Sequence, residues 1–525
     1  MKNKKSIIKN LIKSEVKTSR DLDSFKRKIA KKYKISFPTN IELLKAYHKL
    51  LKNKEVKKSR NIELVLRTSP VRSLSGIVNV SVLTKEYPCP GECIYCPKEK
   101  GLPKSYLSGE PAVERANSLD YDPFAQTKER IVMLKEQGHP VDKIDLRIIG
   151  GTWSYYPKKY QTNFIKRCFD ACNKKKAKNL KEAQKNNEKS DHRIVGLSIE
   201  TRPDFINKKE IKRLRKLGIT KVEIGVQSIN NKILKLNKRG HTIKETIKAT
   251  KLLKDAGFKV AYQIMPNLYS SNLKKDLKQL KKIFQNQNFK PDFLKIYPCA
   301  LLKNTPLYEL YKQKKYQPYS KKELIKLIKE IKKITPNWVR IVRIIRDIPA
   351  QKIIDGPTKI SNLRQIIQDQ MKKEDWQCQC IRCKEVKDRF NKEEKLYFYR
   401  EDYKASQGKE IFLTFENKSR TKLFSLLRLR IPSFYFNKEK HFLEALQNSS
   451  IIRELHTYGQ LTPISKEGFS SQHKGLGKKL IKKAEKITKE EFNLKNIAVI
   501  SGIGAHEYYR KLDYKLENTY MKKSH

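Results

Sequence analysis

The sequence predicts an α/β fold in several parts, and three observations lead to it. Short β-rich runs alternate with helical segments from about residue 75 to residue 345. That strand–helix–strand rhythm is the mark of a parallel sheet curling into a closed or partial (β/α) barrel. A loop with three cysteines in C-x3-C-x2-C spacing, Cys89, Cys93 and Cys96, follows the first run. After about residue 395 the runs lengthen, read as antiparallel strands, and lead into a glycine loop that opens a helix. The expected divisions are a basic helical region (1–60), the barrel (61–350), a linker with a second cysteine knot (351–394) and an α+β domain (395–525).

Length and charge frame these parts. A chain of 525 residues is too long for one ordinary domain. Lys plus Arg number 117 against 55 Asp plus Glu, a net charge of +62. A long polyanion is the natural partner of such a balance; the bland alternative is a set of solvated, lysine-rich helix faces. No apolar run approaches the roughly 18 residues of a membrane span, so no membrane partner is expected. The opening MKNKKSIIKNLIKSEVK lacks the long apolar stretch and small-residue cleavage site of a secretion signal. Nine cysteines, an odd number in metal-ligand spacings, favour a reducing cytoplasm over a disulfide scaffold.

In the first 60 residues Ile7, Ile8, Leu11 and Ile12, then Ile41, Leu43, Leu44, Leu50 and Leu51, recur at helical spacing among lysines. The region reads as a small helical domain, either a solvated appendage or an arm gripping phosphates, and its charge favours the arm. The barrel runs are 77–84, 144–151, 194–201, 222–228, 260–265, 294–298 and 339–345, with helices expected at 122–137, 208–217, 243–256 and 273–284. Active sites of such barrels sit at the C-terminal ends of the strands. The cysteine loop belongs there, together with Gly150, Gly151 and Thr152, then Glu200 and Arg202, then Gln227. A glycine pair lets a cofactor approach the backbone, and the three polar residues suit a zwitterionic, ribose-bearing ligand.

Three close thiolates without a fourth point to a [4Fe–4S] cluster with one open iron, which S-adenosylmethionine can occupy through its amino and carboxylate groups. An incomplete zinc site and unrelated buried cysteines are the competing readings. The polar segment 173–191 reads as a helix and loop outside the barrel, and Cys168, Cys172 and Cys299 as ordinary buried thiols. Cys378, Cys380 and Cys383 form a compact C-x-C-x2-C knot. Structural zinc with a fourth ligand from elsewhere, a histidine for instance, is the first reading there, and a second iron–sulfur cluster the other.

The last domain offers strands at 396–403, 411–416, 423–429 and 451–458. The loop from Gln472 through Gly475 and Gly477 to Lys479 follows, then a helix at 480–491, a strand at 497–501 and a tyrosine pair on a short helix. That is the order of a GNAT acetyl-CoA fold, with the glycines admitting a pyrophosphate to a helix N-terminus.

With both halves read, the chain resembles the family of the Elongator catalytic subunit, which joins a radical-SAM barrel to a GNAT-like domain. The resemblance runs from about Arg67 to the C-terminus. It is carried by RSLSGIVNVSVLTKEYPCPGECIYCP, GLSIETRPD, EIGVQS, RGHT, LKIYP, IIRELHTYG and QHKGLGKKL. It implies a cytoplasmic tRNA-modifying enzyme that forms 5-carboxymethyluridine at the wobble position from acetyl-CoA, binding the anticodon stem-loop; a homodimer or accessory subunits stay open. The alternatives are a protein lysine acetyltransferase and a tRNA-binding module without catalysis. The resemblance also implies Cys89, Cys93 and Cys96 as cluster ligands, Lys295 as a barrel lysine of the reaction, and Cys378, Cys380 and Cys383 as a zinc knuckle. Lys143, Glu454, Leu455, His456, Thr457, Leu476, Gly477, Lys478 and Tyr509 match positions that contact acetyl-CoA, and Tyr509 is also expected as a catalytic residue whose hydroxyl orients the acetyl group near the thioester. The chain departs from the pattern at Asp513, where the family ending YRKLGY has a glycine.

Overall fold

Alternation of apolar and polar side chains builds the strands of the computed structural model. It describes residues 2–14, 16–69, 73, 75–360, 362–387, 393–458 and 475–525. In β2 (Lys143–Ile149), Ile144, Leu146 and Ile148 are buried against the surrounding helices, and Lys143, Asp145 and Arg147 face the other side. The other barrel strands are β1 (Val78–Leu83), β3 (Arg193–Thr201), β4 (Lys221–Gln227), β5 (Lys259–Ile264), β6 (Phe293–Ile296) and β7 (Arg340–Arg343). These strands pair in parallel in the order β1 to β7, and β1 does not pair with β7, so the barrel is partial. All seven runs expected from the sequence are strands. Helices cover the outside, each started by a local signal. Pro123–Glu136 has Asp122 as its cap, accepting from the Ala125 amide at 2.7 Å, and Ile243–Asp255 has a Thr242/Glu245 capping box.

The second sheet comprises β8 (Tyr397–Ala405), β9 (Gly408–Glu416), β10 (Leu423–Ile431), β11 (Ser449–Thr457), β12 (Asn496–Val499), β13 (Lys515–Glu517) and β14 (Tyr520–Ser524). Its order is β13-β14-β12-β11-β10-β9-β8. Only β11 and β12 run parallel, because the helix Leu476–Glu490 crosses between them. They pair over Ser449–Ile452 and Asn496–Val499 and then diverge. That helix begins four residues earlier than its sequence pattern suggested, since Leu476 is buried one turn before Leu480. Leu476, Gly477 and Lys478 therefore form its first turn rather than a preceding loop.

The two sheets meet at the N-terminal ends of the barrel strands, through buried ions. Asp292, just before β6, accepts from Arg453 of β11 at 3.0 Å and from the Val260 amide of β5 at 2.8 Å. Arg430 of β10 reaches Asp255 at 2.6 Å and Glu410 of β9 at 2.9 Å. Burial opposes ionisation of Asp292, but Arg453, Lys254 and Arg428 outweigh it and hold the carboxyl far below its usual range. Nearby, the turn Ile503–Ala505 lies on the start of β3. A Cβ at Gly502 would stand 2.3 Å from the Val195 carbonyl oxygen, so only glycine fits.

The N-terminal helices Lys2–Lys13, Ser19–Tyr33 and Asn40–Lys52 enclose their own core around Ile8, Leu11, Leu44 and Tyr47. They dock on the helix Pro123–Glu136 through Lys45–Glu136 at 3.0 Å and through Arg67, which donates to the Gly138 carbonyl at 2.8 Å. No described helix is long and apolar enough to cross a membrane.

Candidate active site

The C-terminal ends of the barrel strands surround a cavity of about 510 Å³, into which Cys89, Cys93, Cys96, Thr152, Glu200, Arg202, Gln227 and Lys295 all open. The cysteine loop is pinned at two points: the Ile94 amide donates to Asn237 at 3.3 Å, and Leu307 donates to the Ile94 carbonyl at 2.9 Å. Gly150 and Gly151 end β2 with φ of 118° and 45°, and a Cβ on Gly150 would stand 2.3 Å from the Thr84 hydroxyl. The Cys89 thiol lies 3.6 Å from the Thr152 hydroxyl, and Arg239 points Nη1 at the Cys93 sulfur, also at 3.6 Å. Burial, reinforced by Cys93, pushes the Cys96 thiol up to about 12. Among the described residues, the one set of three ligand atoms all within 4.8 Å of each other is Cys378, Cys380 and Cys383. Cys89, Cys93 and Cys96 converge on the cavity more loosely than a single ion needs, which fits a larger multi-iron group.

Several buried polar atoms in this cavity lack partners, Arg202 Nη1 and Gln227 Oε1 among them. Arg202 grips Asp204 with Nε at 3.0 Å and Nη2 at 2.9 Å, leaving Nη1 buried and unpaired. Gln227 sits at φ 64°, left-handed for a non-glycine residue, with its Oε1 buried and unpaired. A donor and an acceptor held ready beside three thiols fit a zwitterionic cofactor next to a cluster. Deeper in, Lys295 bonds Glu200 at 3.1 Å and pairs closely with Glu223, which also meets Lys221 at 3.2 Å. Burial would lower the Lys295 ammonium, but Glu223, Tyr297 and Glu200 together outweigh it and raise it, so the amine stays charged. Glu200 further accepts from Gln263 at 3.0 Å and from Tyr106 at 3.1 Å. Glu223, Tyr106 and Arg239 were not singled out from the sequence. Glu223 and Lys295 both stand at inward positions of their strands, and that shared alternation was the signal available.

The second group of expected residues gathers where β11 and β12 diverge. Gly475, at φ 63°, caps the helix Leu476–Glu490 without a side-chain bond, which leaves first-turn amides of Leu476, Gly477 and Lys478 for an anion. A Cβ on Gly477 would stand 3.2 Å from the Tyr508 hydroxyl and 3.7 Å from Leu455 and Thr457. Tyr508 is 38% exposed, whereas Tyr509 is buried in the second core, its ring 5.8 Å from that of Tyr514. Glu454 accepts from Arg428 at 2.7 Å, and His456, lowered to about 4 mainly by burial, stacks on Tyr458 at 4.2 Å. Lys143 begins β2 beside Arg193 of β3, at the barrel end that this sheet covers. Asp513 adopts φ 67°, the conformation a glycine would take without strain. Gln472, His473, Lys474 and Gly459, and Arg72 and Leu74 of the first long motif, lie outside the described residues.

The knot of Cys378, Cys380 and Cys383 bridges the two sheets: Ile381 donates to Val339 at 3.0 Å and Val386 to Leu423 at 3.1 Å. The three sulfurs can share one ion. Among the described residues no histidine or carboxylate completes the set; Lys332 Nζ stands 3.3 Å from the Cys383 sulfur. Cys168, Cys172 and Cys299 are buried thiols, the first and last pushed up to about 12 by burial.

Residues 88–277 match the family model of the Radical SAM superfamily, and residues 291–373 that of the Radical_SAM C-terminal domain. Over 473 residues the chain is 44% identical to the tRNA uridine(34) acetyltransferase of Methanocaldococcus jannaschii, covering 87% of this chain and 86% of that one. It is 37% identical to human Elongator complex protein 3 over 542 residues, covering 98% of this chain and 96% of the human one. The solved structure of Methanocaldococcus infernus Elp3 lacking residues 1–46 is 44% identical with a TM-score of 0.75. That match spans 86% of this chain and 100% of that one.

Proposed function

The chain belongs to the Elongator complex protein 3 family of radical SAM proteins, and from that membership we propose that it modifies the wobble uridine of tRNA, forming a 5-carboxymethyl group from acetyl-CoA. The observation that carries the reading is the placement of the diverging β11–β12 pair. Its β11 strand meets the barrel end, where Arg453 donates to the Phe258 carbonyl at 2.6 Å, and Ile503–Ala505 packs on β3. A protein acetyltransferase must expose its thioester to an incoming lysine. This arrangement favours delivery of the acyl group to the barrel.

Cys89, Cys93 and Cys96 would hold a [4Fe–4S] cluster, and Gly151, Thr152, Arg202 and Gln227, with Gly150 just behind them, would hold S-adenosylmethionine. When bound, this pair supplies a hydrogen-abstracting carbon radical. Arg202 Nη1 would be available to donate to the cofactor carboxylate and Gln227 Oε1 to accept from its amino group. Lys295, kept protonated by Glu223 and Glu200, holds a proton at Nζ for a carbonyl oxygen in the cavity. The amides at Gly475–Lys478 take the CoA pyrophosphate, and Tyr508, closer to this turn than Tyr509, orients the arm. A splayed wobble base in a single-stranded anticodon loop can enter such a cavity, and the net charge of +62 supplies the grip on the phosphates. Zinc in the knot of Cys378, Cys380 and Cys383 would staple the two sheets without touching substrate.

The test incubates reconstituted protein with reductant, S-adenosylmethionine, tRNA and methyl-labelled acetyl-CoA. Label is expected on wobble uridine as carboxymethyl, with deoxyadenosine accumulating beside it. The variant with Cys89, Cys93 and Cys96 replaced by alanine should lose both products while keeping its tRNA affinity. Label on protein lysines with none on tRNA would establish the acetyltransferase reading instead.

A further inference from the structure

The interior of a (β/α) barrel is ordinarily a packed core, filled by layers of branched aliphatic side chains. This one is not. Along each strand the aliphatic residues face the helices, as Val222, Ile224 and Val226 do on β4. The inward positions carry Asp145 and Arg147 on β2, Ser198 on β3, Lys221 and Glu223 on β4, and Ala261 on β5. Register confirms that they face one another: Ser198 lies beside Arg147 on one side and Lys221 on the other. Asp145 and Arg147 keep 22% and 29% side-chain accessibility although they point between the strands, so the lumen is hollow at their level. Ser198 and Ala261 present only small side chains there, beside the inward Phe293 ring of β6, over which the Lys221 ammonium lies at 5.6 Å.

Both ends of this lumen meet something. At the C-terminal end it continues into the cavity, whose lining includes Arg147, Gln263 and Lys295. At the N-terminal end β11 lies against the start of β5: Arg453 donates to the Phe258 carbonyl at 2.6 Å, which brings Glu454 and Lys259, the next residue on each strand, to this mouth. From Lys259 to Gln263 is four residues, roughly 13 Å at about 3.3 Å per residue. We propose that the lumen is a duct: an acyl thioester held on the second sheet enters the barrel through its N-terminal mouth, and the acyl group is presented to the cavity from inside. The lysines at the lower end, Lys221 and Lys259, offer ammonium donors to the thioester carbonyl. The ion pair of Glu223 with Lys295 stands at the junction of duct and cavity. This inference rests on the acetyl-CoA reading above and adds the route.

The test needs no loaded cluster. Ser198→Cys places a thiol inside the lumen. The cluster-free protein is treated with bromoacetyl-CoA, whose acyl methylene alkylates a thiolate: a C–S bond forms and bromide leaves. Peptide mapping should find the CoA-bearing adduct on residue 198, suppressed by excess acetyl-CoA and missing from wild-type protein. Residue 198 left unmodified, while the analogue still competes with acetyl-CoA for binding, would overturn the duct. A second variant, Ala261→Phe, fills the lumen. It should keep acetyl-CoA binding and deoxyadenosine formation but lose carboxymethyluridine at least tenfold; full product formation with the lumen filled would also overturn it. Should Ala261→Phe fail to fold, the labelling decides alone. Wild-type protein that makes no carboxymethyluridine would refute the parent reading, whereas labelling at residue 198 would still stand for the duct.

Discussion

The two ends of the barrel put their buried charged groups to different uses. At the N-terminal end Asp292, Asp255, Glu410, Arg430 and Arg453 are buried, and each is paired with another charge. At the C-terminal end Arg202 Nη1 and Gln227 Oε1 are equally buried and have no partner. A buried polar atom costs stability unless it is bonded. The first end is therefore arranged to hold the molecule together and the second to receive something. One sheet serves both, because strand direction separates the two tasks.

The contrast can be broken at its strong end. Arg453→Ala leaves Asp292 and Glu410 buried without their main counter-charge and should cost about 3–5 kcal/mol, read by denaturant unfolding. A loss under about 1 kcal/mol would mean that water already shares those carboxylates. A smaller loss is expected with pH at the clasp between the 180–191 segment and the second sheet. Glu188, 12% exposed, accepts from His506 and Arg510, both at 2.7 Å. Burial opposes ionisation, but these partners lower the carboxyl from 4.5 to about 2. Its contribution is present above about pH 4.5 and fades as pH falls toward 2, about 3 kcal/mol in all. In Glu188→Gln that component of the acid unfolding curve should vanish. The smallest stability change is expected at the receiving end, with the opposite sign. Gln227→Gly removes an unbonded amide and relieves a left-handed backbone, so stability should hold or rise by up to about 1 kcal/mol. Calorimetry should show S-adenosylmethionine binding weakened in the same variant. A clear drop in melting temperature there would erase the distinction between the two ends.

Much of this was legible in the sequence for a physical reason. Strand alternation and the compact cysteine and glycine spacings are local, so the seven barrel strands, five of the seven strands of the C-terminal sheet and the rim residues could be read directly, while the short β13 and β14 were missed. What escaped depends on contacts between distant segments. Asp255 and Arg430 are 175 residues apart, and no periodicity announces their pairing. The segment 173–191 looked peripheral because Glu188 meets its partners only through the fold. Tyr508 and Tyr509 are neighbours in sequence, yet one helical step turns the first toward Gly477 and the second into the core. Glu223 went unnoticed because an acid inside a strand is ordinarily a solvent-facing residue.

Asp292 has a consequence for motion. It accepts from the Val260 amide of β5 and, through the same carboxylate, from Arg453 of β11. Val260 cannot open to solvent while that carboxylate holds both strands. Hydrogen exchange in β5 and β11 is thereby coupled into one cooperative opening, although the strands belong to different sheets. Barrel and second sheet then breathe together, and a substrate that bridges them finds their spacing already set.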